Sequence, residues 1–509
     1  MSIAAGRATS DPVGTKVTDP LRTRPESFAV LALTSFYLAI FGGHSYSIDG
    51  LLIYRQALSI VQNFSLRFGV PVHWGDYFAP TSISGIGLPL FYLPGVALLV
   101  KAGVHAPVPT STPYDFDLLY RDPVYTIGAA PVQILVTVAT AYLVARFVRD
   151  LGFSGKVALL AFASYGIASP AIVYAKEDFP QPLLALLLIA GLLAANRYRI
   201  SGRFAWLLAA GGTLVVAVLV RQVEGSFLLP ALLLMVVPDL RPRRWDRGTI
   251  RDIAVIVGAY AVAVGLTLGV DWLRFGSPLV TGYTNVSWST PPWVGLPGVL
   301  LGPSRGILWQ FPLLALAPLG LWRLRMTQHA RVGAVMAGLI LVLYLHTSLL
   351  SYWWGGDDWG ARLFVPVWPL VAILAAIGAA SLRPSLRVWL PATLFAAGVV
   401  WAVPGTVTDL LGGYGSAYAG TAHSFLLTGY PPVGAWQFLH HIRATNLADS
   451  SAVDILWFRL ARQTDNTSLL VPVLLGLTAA AFAWKAIGVE RAREDRTSLD
   501  EARPMSARA

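Results

Sequence analysis

The sequence consists largely of apolar runs about twenty residues long, the length that a helix needs to cross the hydrocarbon core of a bilayer. Only 13% of its 509 residues are charged, whereas soluble domains average about 25%, and the mean hydropathy is +0.60. These features predict an all-α polytopic transmembrane helix bundle. We place about twelve spans, at residues 27–43, 125–145, 156–174, 181–195, 204–220, 226–238, 252–272, 300–322, 332–350, 362–381, 388–403 and 468–487.

One further apolar run, GIGLPLFYLPGVALLVKAG at 85–103, is interrupted by Pro89 and Pro94. If it crossed the membrane, basic loops such as NRYRISGR and RPRRWDRGTIR would lie outside, and otherwise they lie inside. Because positive residues concentrate in cytoplasmic loops, we predict that this run is an interfacial helix that does not cross. The net charge of +11 then reflects cytoplasmic loops, and no nucleic-acid partner is predicted.

A single acid, Asp49, stands where the first span ends, in FGGHSYSIDGLLIYRQALSIV at 41–61. An acid at membrane depth is costly and is usually functional, so Asp49 is a candidate catalytic carboxylate. It also precedes a helical run, and aspartate is a favoured helix N-cap. Both interpretations of Asp49 are compatible with the sequence.

Further acids lie in three other outer segments: Asp76 in HWGDYFAPTS, Glu177 and Asp178 in VYAKEDFPQP, and Asp357 and Asp358 in SYWWGGDDWGAR. Adjacent acids bind divalent cations or accept hydrogen bonds from sugar hydroxyls. The alternative is that each segment is an ordinary charged turn. We predict that all five acids contribute to a substrate site.

The segment SYWWGGDDWGAR also contains three tryptophans around its Gly-Gly-Asp-Asp core. Indole rings at a membrane interface often act only as anchors, but such a surface also suits the packing of a sugar ring. We therefore include Trp354 among the candidate substrate-binding residues, together with Tyr283 in RFGSPLVTGY.

Four arginines on the same predicted face are candidate ligands of a phosphate group: Arg221, Arg274, Arg305 and Arg362. A guanidinium binds phosphate through a rigid fork of donors. Each arginine alone could instead extend toward lipid headgroups. Four of them near acids favour a shared anionic site.

The chain has no cysteine, and it contains no Walker A, GxSxG or HExxH motif. The chain therefore cannot use thiolate chemistry, and we do not predict that it hydrolyses nucleotides. No metal ligand is assigned, and no cofactor is predicted with certainty. A divalent cation at the paired acids is left open.

The order of these motifs resembles the GT-C class of integral membrane glycosyltransferases, especially bacterial relatives of protein O-mannosyltransferases and the aminoarabinose transferase. The resemblance rests on the acid after the first span, the second acidic loop, RFGSPLVTGY, GPSRGILWQFP and WWGGDDWGARLFVPVWP. It implies a polyprenyl-phosphate sugar donor, inverting transfer and Asp49 as general base, with Arg305 and Arg362 near the lipid phosphate. Relatives often carry a glutamate where this chain has Gln181, so the role of the second acidic loop is an open question.

With this resemblance the chain is predicted to be a multi-pass plasma-membrane enzyme with an extracytoplasmic active site, surrounded by membrane lipids. The acceptor would be an extracytoplasmic glycan, lipid or protein. The predicted regions are a disordered cytoplasmic N-terminus at 1–26, a catalytic region at 27–403 with outer loop 44–124, a possible acceptor loop at 404–467, a last span at 468–487 and a disordered tail at 488–509.

Two other functions compete with the glycosyltransferase. A non-enzymatic transporter or flippase of lipid-linked sugars would be expected to place ionisable residues at mid-span. Here nearly all charges lie at span ends, which favours chemistry at the membrane surface. A structural partner in an envelope complex has no positive sign in the sequence.

Overall fold

The computed structural model describes residues 25–74, 77–106, 122–237, 245–282, 286–303, 305–356, 358–408, 453–461 and 466–502. Its helices are α1 (Pro25–Ala39), α2 (Ile48–Asn63), α3 (Gly87–Lys101), α4 (Pro131–Asp150), α5 (Gly155–Gly166), α6 (Ala171–Tyr174), α7 (Gln181–Ser201), α8 (Phe204–Val220), α9 (Gln222–Ser226), α10 (Leu228–Val236), α11 (Arg247–Phe275), α12 (Pro292–Leu301), α13 (Ile307–Gln310), α14 (Ala317–Arg325), α15 (Ala330–Leu349), α16 (Trp368–Ala380), α17 (Trp389–Val407), α18 (Leu456–Ala461) and α19 (Leu470–Ala502). A π-helical turn at Tyr125–Ala129 precedes α4, and 3₁₀ turns lie at Pro312–Leu316, Arg362–Val367 and Thr467–Leu469.

The predicted fold class is confirmed, because the described residues form a helix bundle. Strands occur in these residues as one small antiparallel hairpin, in which β1 (Val72–Trp74) pairs with β2 (Tyr77–Ala79). Seven of the described helices are long and apolar enough to cross a membrane. The count of about twelve spans stays a prediction.

Several predicted spans are interrupted where proline or glycine breaks the helical hydrogen bonding. The predicted span 156–174 is divided between α5 and α6, and Pro170 stands at the start of α6. The predicted span 300–322 is divided among α12, α13 and α14, with breaks at Gly302 and Pro312. Proline has no backbone N–H to donate, so it tends to begin a helical segment rather than continue one.

The C-terminal helix is longer than the sequence indicates. Helix α19 continues through Ala502, although a disordered tail is predicted from residue 488. At Glu490 this helix is held by Arg149, whose other contact is Glu26 at the start of α1, at 2.8 and 2.9 Å. The ion pair between the half-buried Arg149 and the buried Glu490 keeps this part of the tail in the bundle.

Close helix contacts in the centre of the bundle depend on glycine. Helix α16 is buried over nearly its whole length and packs on α14. A Cβ at Gly320 would lie 1.8 Å from the carbonyl oxygen of Leu374, and one at Gly378 would lie 2.1 Å from that of Leu316. Small residues allow helix backbones to approach in this way in membrane proteins.

Helix α3 covers most of the ambiguous run 85–103. A Cβ at Gly87 would meet Val220 at the end of α8, and one at Gly95 would lie 2.1 Å from the carbonyl oxygen of Gly128, in the π-helical turn before α4. The helix therefore packs against the end of one predicted span and the start of another. Its position relative to the membrane stays a prediction.

Candidate active site

The segments that contain Asp49, Asp178 and Asp358 meet at one end of the bundle. Tyr46, just before α2, contacts the loop before α7 and the segment before α18. Asp49, in the first turn of α2, contacts the start of the 3₁₀ turn Arg362–Val367. The opposite end holds the Glu26, Arg149 and Glu490 contacts. Residues far apart in the sequence thus form one polar region, which we call the acidic end.

The N-cap of α2 is Ser47 rather than Asp49. The hydroxyl of Ser47 accepts a hydrogen bond from the backbone N–H of Gly50 at 2.8 Å, and Ser47 has the extended backbone of an N-cap. Asp49 lies in the first helical turn, and it is free of the capping role. The alternative interpretation of Asp49 as a helix cap is therefore wrong.

Asp49 pairs instead with Arg362. The Nη1 atom of Arg362 donates to Oδ2 of Asp49 at 3.0 Å, and the side chain of Asp49 is 25% exposed. Arg362 is almost buried, packs over the ring of Phe179 and donates from Nη2 to the hydroxyl of Tyr352 at 2.7 Å. The pair joins the first turn of α2 to the start of the 3₁₀ turn Arg362–Val367, 313 residues later in the chain.

Asp358 lies between two arginines. Its Oδ1 accepts from Nη1 of Arg305 at 2.9 Å, and its Oδ2 lies 2.8 Å from Nε of Arg362, an ion pair without hydrogen-bond alignment. Asp358 is 3% exposed. Two predicted phosphate ligands and one predicted substrate ligand thus form a buried chain of charges that ends at Asp49.

Arg305 also holds the Gly-rich loop in place. It donates to the backbone carbonyls of Gly356, Asp358 and Gly360. Gly356 and Gly360 have φ values of +107° and +73°, which residues with a side chain rarely adopt. The two Nη atoms of Arg305 are occupied by loop oxygens, and its buried Nε has no hydrogen-bond partner among the described residues.

Asp178 is fully buried and fixes the approach to α2. It accepts hydrogen bonds from the hydroxyls of Ser45 and Ser47, from the backbone N–H of Tyr46 and from the hydroxyl of Tyr125. A Cβ at position 50 would lie 1.8 Å from the Asp178 carboxyl carbon, so only Gly50 leaves room for it. Burial raises the pKa of Asp178, and these hydrogen bonds lower it by less.

Glu177 is 1% exposed and differs from its neighbour. Its Oε2 atom has no hydrogen-bond partner among the described residues. Burial, followed by the charge of Asp358, raises the pKa of Glu177 well above its ordinary value, and Lys176 and Arg362 lower it by less. Of the two adjacent acids, one is therefore saturated with hydrogen bonds and the other is left with an open oxygen.

Sequence analysis missed a second acid of the acidic end that accepts four hydrogen bonds, Asp454. It accepts from Nε2 of His44 at 2.7 Å, Nζ of Lys176 at 2.8 Å, Nη1 of Arg459 at 2.9 Å and the hydroxyl of Tyr46. Although burial alone would raise its pKa, the three basic side chains hold the pKa of Asp454 well below its usual range. Its only sequence signal is its position in AVDILWFRLA, two residues before the first residue of α18.

The other two predicted phosphate ligands have different partners. Arg221 pairs with Glu224, three residues later, and Arg274 donates to the hydroxyl of Thr81 and the carbonyl of Ser84 at 3.2 and 2.9 Å. The contacts of Arg274 hold the loop before α3 against the end of α11, whereas the Arg221 pair stays within the segment that joins α8 to α9. The described contacts therefore divide the four arginines into two groups, and the group of Arg305 and Arg362 is the one linked to Asp49.

Two of the three tryptophans in the Gly-rich segment belong to the core. Trp353 and Trp359 are 5% and 1% exposed, and Trp359 packs edge-on against Trp401. A sugar ring cannot stack on these buried rings, so the expected three-tryptophan surface is wrong. Trp354 is half-buried and contacts the ring of Tyr352, beside the Asp49 and Arg362 pair.

Three predicted substrate ligands, Asp76, Tyr283 and Asp357, lie outside the described residues. Within the described part of the chain, no group of three acidic or histidine side chains has the arrangement of a metal site. The carboxylate of Asp178, one of the paired acids for which a cation was left open, is already fully hydrogen-bonded.

No family model matches the sequence, and no curated protein matches it. Among solved structures, the chain is similar to the aminoarabinose transferase ArnT from Cupriavidus metallidurans in the apo state, with a TM-score of 0.51 and 15% identity over 91% of this chain and 76% of that one. It is equally similar to the same protein bound to undecaprenyl phosphate, with a TM-score of 0.51 and 16% identity over 91% and 77%. The Archaeoglobus fulgidus oligosaccharyltransferase gives a TM-score of 0.44 at 13% identity, over 81% of this chain and 55% of that one. The chain therefore has a GT-C-like fold, as the order of its sequence motifs predicts.

Proposed function

We propose that this protein is a membrane glycosyltransferase that transfers a sugar from a polyprenyl-phosphate donor to an extracytoplasmic acceptor with inversion. The observation that carries the proposal is the Asp49 and Arg362 pair: a partly exposed carboxylate beside an arginine, within a buried chain of charges. The similarity of the fold to ArnT, which has been solved with undecaprenyl phosphate, supports a lipid-phosphate ligand.

Asp49 is the general base in this proposal. Its carboxylate takes the proton of the acceptor hydroxyl while that oxygen attacks C1 of the donor sugar. The bond between C1 and the phosphate oxygen breaks on the opposite side, and its electron pair leaves with the polyprenyl phosphate. One bond forms as one breaks, so the configuration at C1 inverts.

Arg362 binds the donor phosphate. Its guanidinium is almost buried, and the low dielectric there strengthens its attraction for an anion. The leaving phosphate gains charge as the C1–O bond breaks, so a fixed arginine stabilises the transition state more than the bound donor. Arg305, which pairs with the other oxygen of Asp358, provides a second positive charge nearby.

The acceptor would be a cell-envelope glycan, lipid or protein at the outer surface of the plasma membrane. No nucleotide sugar is available there, which is why a lipid-linked donor suits the site. The predicted outer loop 404–467 is the proposed acceptor region. Its described part contacts the acidic end through Asp454.

Purified protein should be incubated with polyprenyl phosphates that carry different labelled sugars, in the presence of an envelope extract as acceptor. We expect label to move from the lipid to an acceptor and polyprenyl phosphate to be released. Movement of an intact lipid-linked sugar across a vesicle membrane, without transfer, would instead identify a transporter.

A further inference from the structure

Glu177 has no place in the proposed mechanism, yet it lies among the groups that perform it. It adjoins Lys176 and Asp178 in the loop before α7. It also interacts electrostatically with Asp358 and Arg362, which lie at and after the Gly-rich loop. The hydroxyl of Tyr174 also faces this cluster. A buried oxygen without a partner, such as Oε2 here, is expensive to maintain and calls for an explanation.

The nearby cations already have carboxylate partners. Lys176 donates to Asp454 at 2.8 Å, and Arg362 is paired with Asp49 and Asp358. A buried carboxylate without a counter-charge takes up a proton instead of remaining ionised. The raised pKa of Glu177 agrees with this assignment, because burial and the charge of Asp358 both favour the neutral acid.

Resting on the proposed function, we infer that Glu177 is a neutral carboxylic acid that donates a hydrogen bond to the phosphate of the lipid-linked donor, beside Arg362. A phosphate oxygen provides the acceptor that the buried O–H lacks. The neutral acid also tolerates the incoming anion, whereas an ionised Glu177 would repel it.

This hydrogen bond becomes stronger during the reaction. As the bond from C1 to the phosphate oxygen breaks, the departing phosphate gains negative charge, and a donor aimed at it stabilises that charge. The proton stays on Glu177, while the acceptor proton goes to Asp49. Glu177 therefore contacts the leaving group without exchanging a proton with it.

Binding of undecaprenyl phosphate, which carries no sugar, separates a phosphate contact from a sugar contact. Its affinity should be measured for the wild type, Glu177→Gln and Glu177→Ala between about pH 6 and about pH 9, where buried glutamates have been found to titrate. Glutamine keeps a hydrogen-bond donor of the same size and cannot ionise. Asp150→Asn, at the opposite end of the bundle, is the matched control.

We expect Glu177→Gln to bind like the wild type at the acid end of this range and to lose less affinity as the pH rises. The ionisation of the phosphate itself affects both proteins equally, so the difference between them reports on Glu177. Glu177→Ala should bind about tenfold more weakly or worse, the usual size of a hydrogen bond to a charged group. Asp150→Asn should follow the wild type at every pH.

The inference is overturned if Glu177→Gln binds as weakly as Glu177→Ala, because an ionised carboxylate would then be required. It is also overturned if all three proteins bind equally, which would make Glu177 a structural or sugar-binding residue. If the folded wild type fails to bind undecaprenyl phosphate at any pH, the proposed function itself is wrong. Thermal unfolding of each variant identifies a loss of binding that is caused by misfolding.

Discussion

Asp454 and Asp49 are both carboxylates of the acidic end that pair with basic side chains, but their surroundings differ. Asp454 is 2% exposed and accepts from three basic side chains and a tyrosine. The side chain of Asp49 is 25% exposed and has one described partner, Arg362. Asp454, whose oxygens are occupied by hydrogen bonds, joins segments of the chain. Asp49, which is partly exposed, retains lone pairs that can accept a proton.

The prediction with the largest expected effect concerns the membrane face on which Asp49 and Asp454 lie. If α3 does not cross the membrane, cysteines at Asn63 and His105, which flank it and are exposed, should both react with an impermeant reagent added outside cells. The chain has no cysteine of its own, so labelling is all or none. A cysteine at the exposed Arg387, in a predicted cytoplasmic loop, should stay unlabelled. Labelling of Asn63→Cys but not His105→Cys would show that α3 crosses.

Asp49→Asn should abolish most activity while the protein stays folded. Asparagine can still accept the hydrogen bond from Arg362 but cannot take a proton at neutral pH, so turnover should fall about 10²–10⁴-fold. Ser47 caps the helix, so the thermal unfolding temperature should barely change. Near-normal turnover with this variant would assign the base to another acid.

Asp454→Asn should have the opposite pattern. The protein should lose much of its stability, whereas the turnover of each folded molecule should change less. The change removes the carboxylate that Lys176 and Arg459 share, and breaking a buried ion pair in this way costs about 3–5 kcal/mol. Denaturant unfolding in detergent measures this loss of unfolding free energy. The control is Asp150→Asn, which breaks the partly exposed ion pair of Asp150 with Arg197. Because the pKa of Asp454 is depressed in the folded protein, its contribution is present at neutral pH and is lost as the pH falls through that pKa. Equal stability of the two variants would contradict the structural role.

Arg362→Lys should weaken undecaprenyl phosphate binding by about 1.5–3 kcal/mol, the usual contribution of a hydrogen bond to a charged group. Lysine keeps the charge that Asp49 and Asp358 need for folding, but it lacks the planar fork of donors. Arg387→Lys is a matched control in an exposed loop. Unchanged affinity would remove Arg362 from the phosphate site.

The fold was predictable because apolar length and motif order are properties of continuous sequence. The polar contacts were not. Asp454 meets His44 across 410 positions and Lys176 across 278, and no local pattern records such pairing. The sequence left the cap interpretation of Asp49 open for a related reason, since serine and aspartate are both favoured capping residues and only backbone geometry distinguishes Ser47 from Asp49.

The burial of the tryptophans shows a different limit of sequence reasoning. Trp353, Trp354 and Trp359 occur in one polar segment, and their composition alone suggests a shared surface. The left-handed glycines Gly355 and Gly356 redirect the chain between Trp354 and Trp359, and two of the three rings, Trp353 and Trp359, are buried in the core. Which rings are buried is decided by the conformation of the loop, and that conformation depends on contacts from other segments.

The way in which Arg305 binds its loop has a consequence for the redox behaviour of the protein. Proteins exposed to an oxidising exterior often cross-link their loops with disulfides, but this chain has no cysteine. One guanidinium bound to three backbone carbonyls and a carboxylate performs the same cross-linking task. The loop is therefore held equally well under reducing and oxidising conditions, and it needs no oxidative folding catalyst to form.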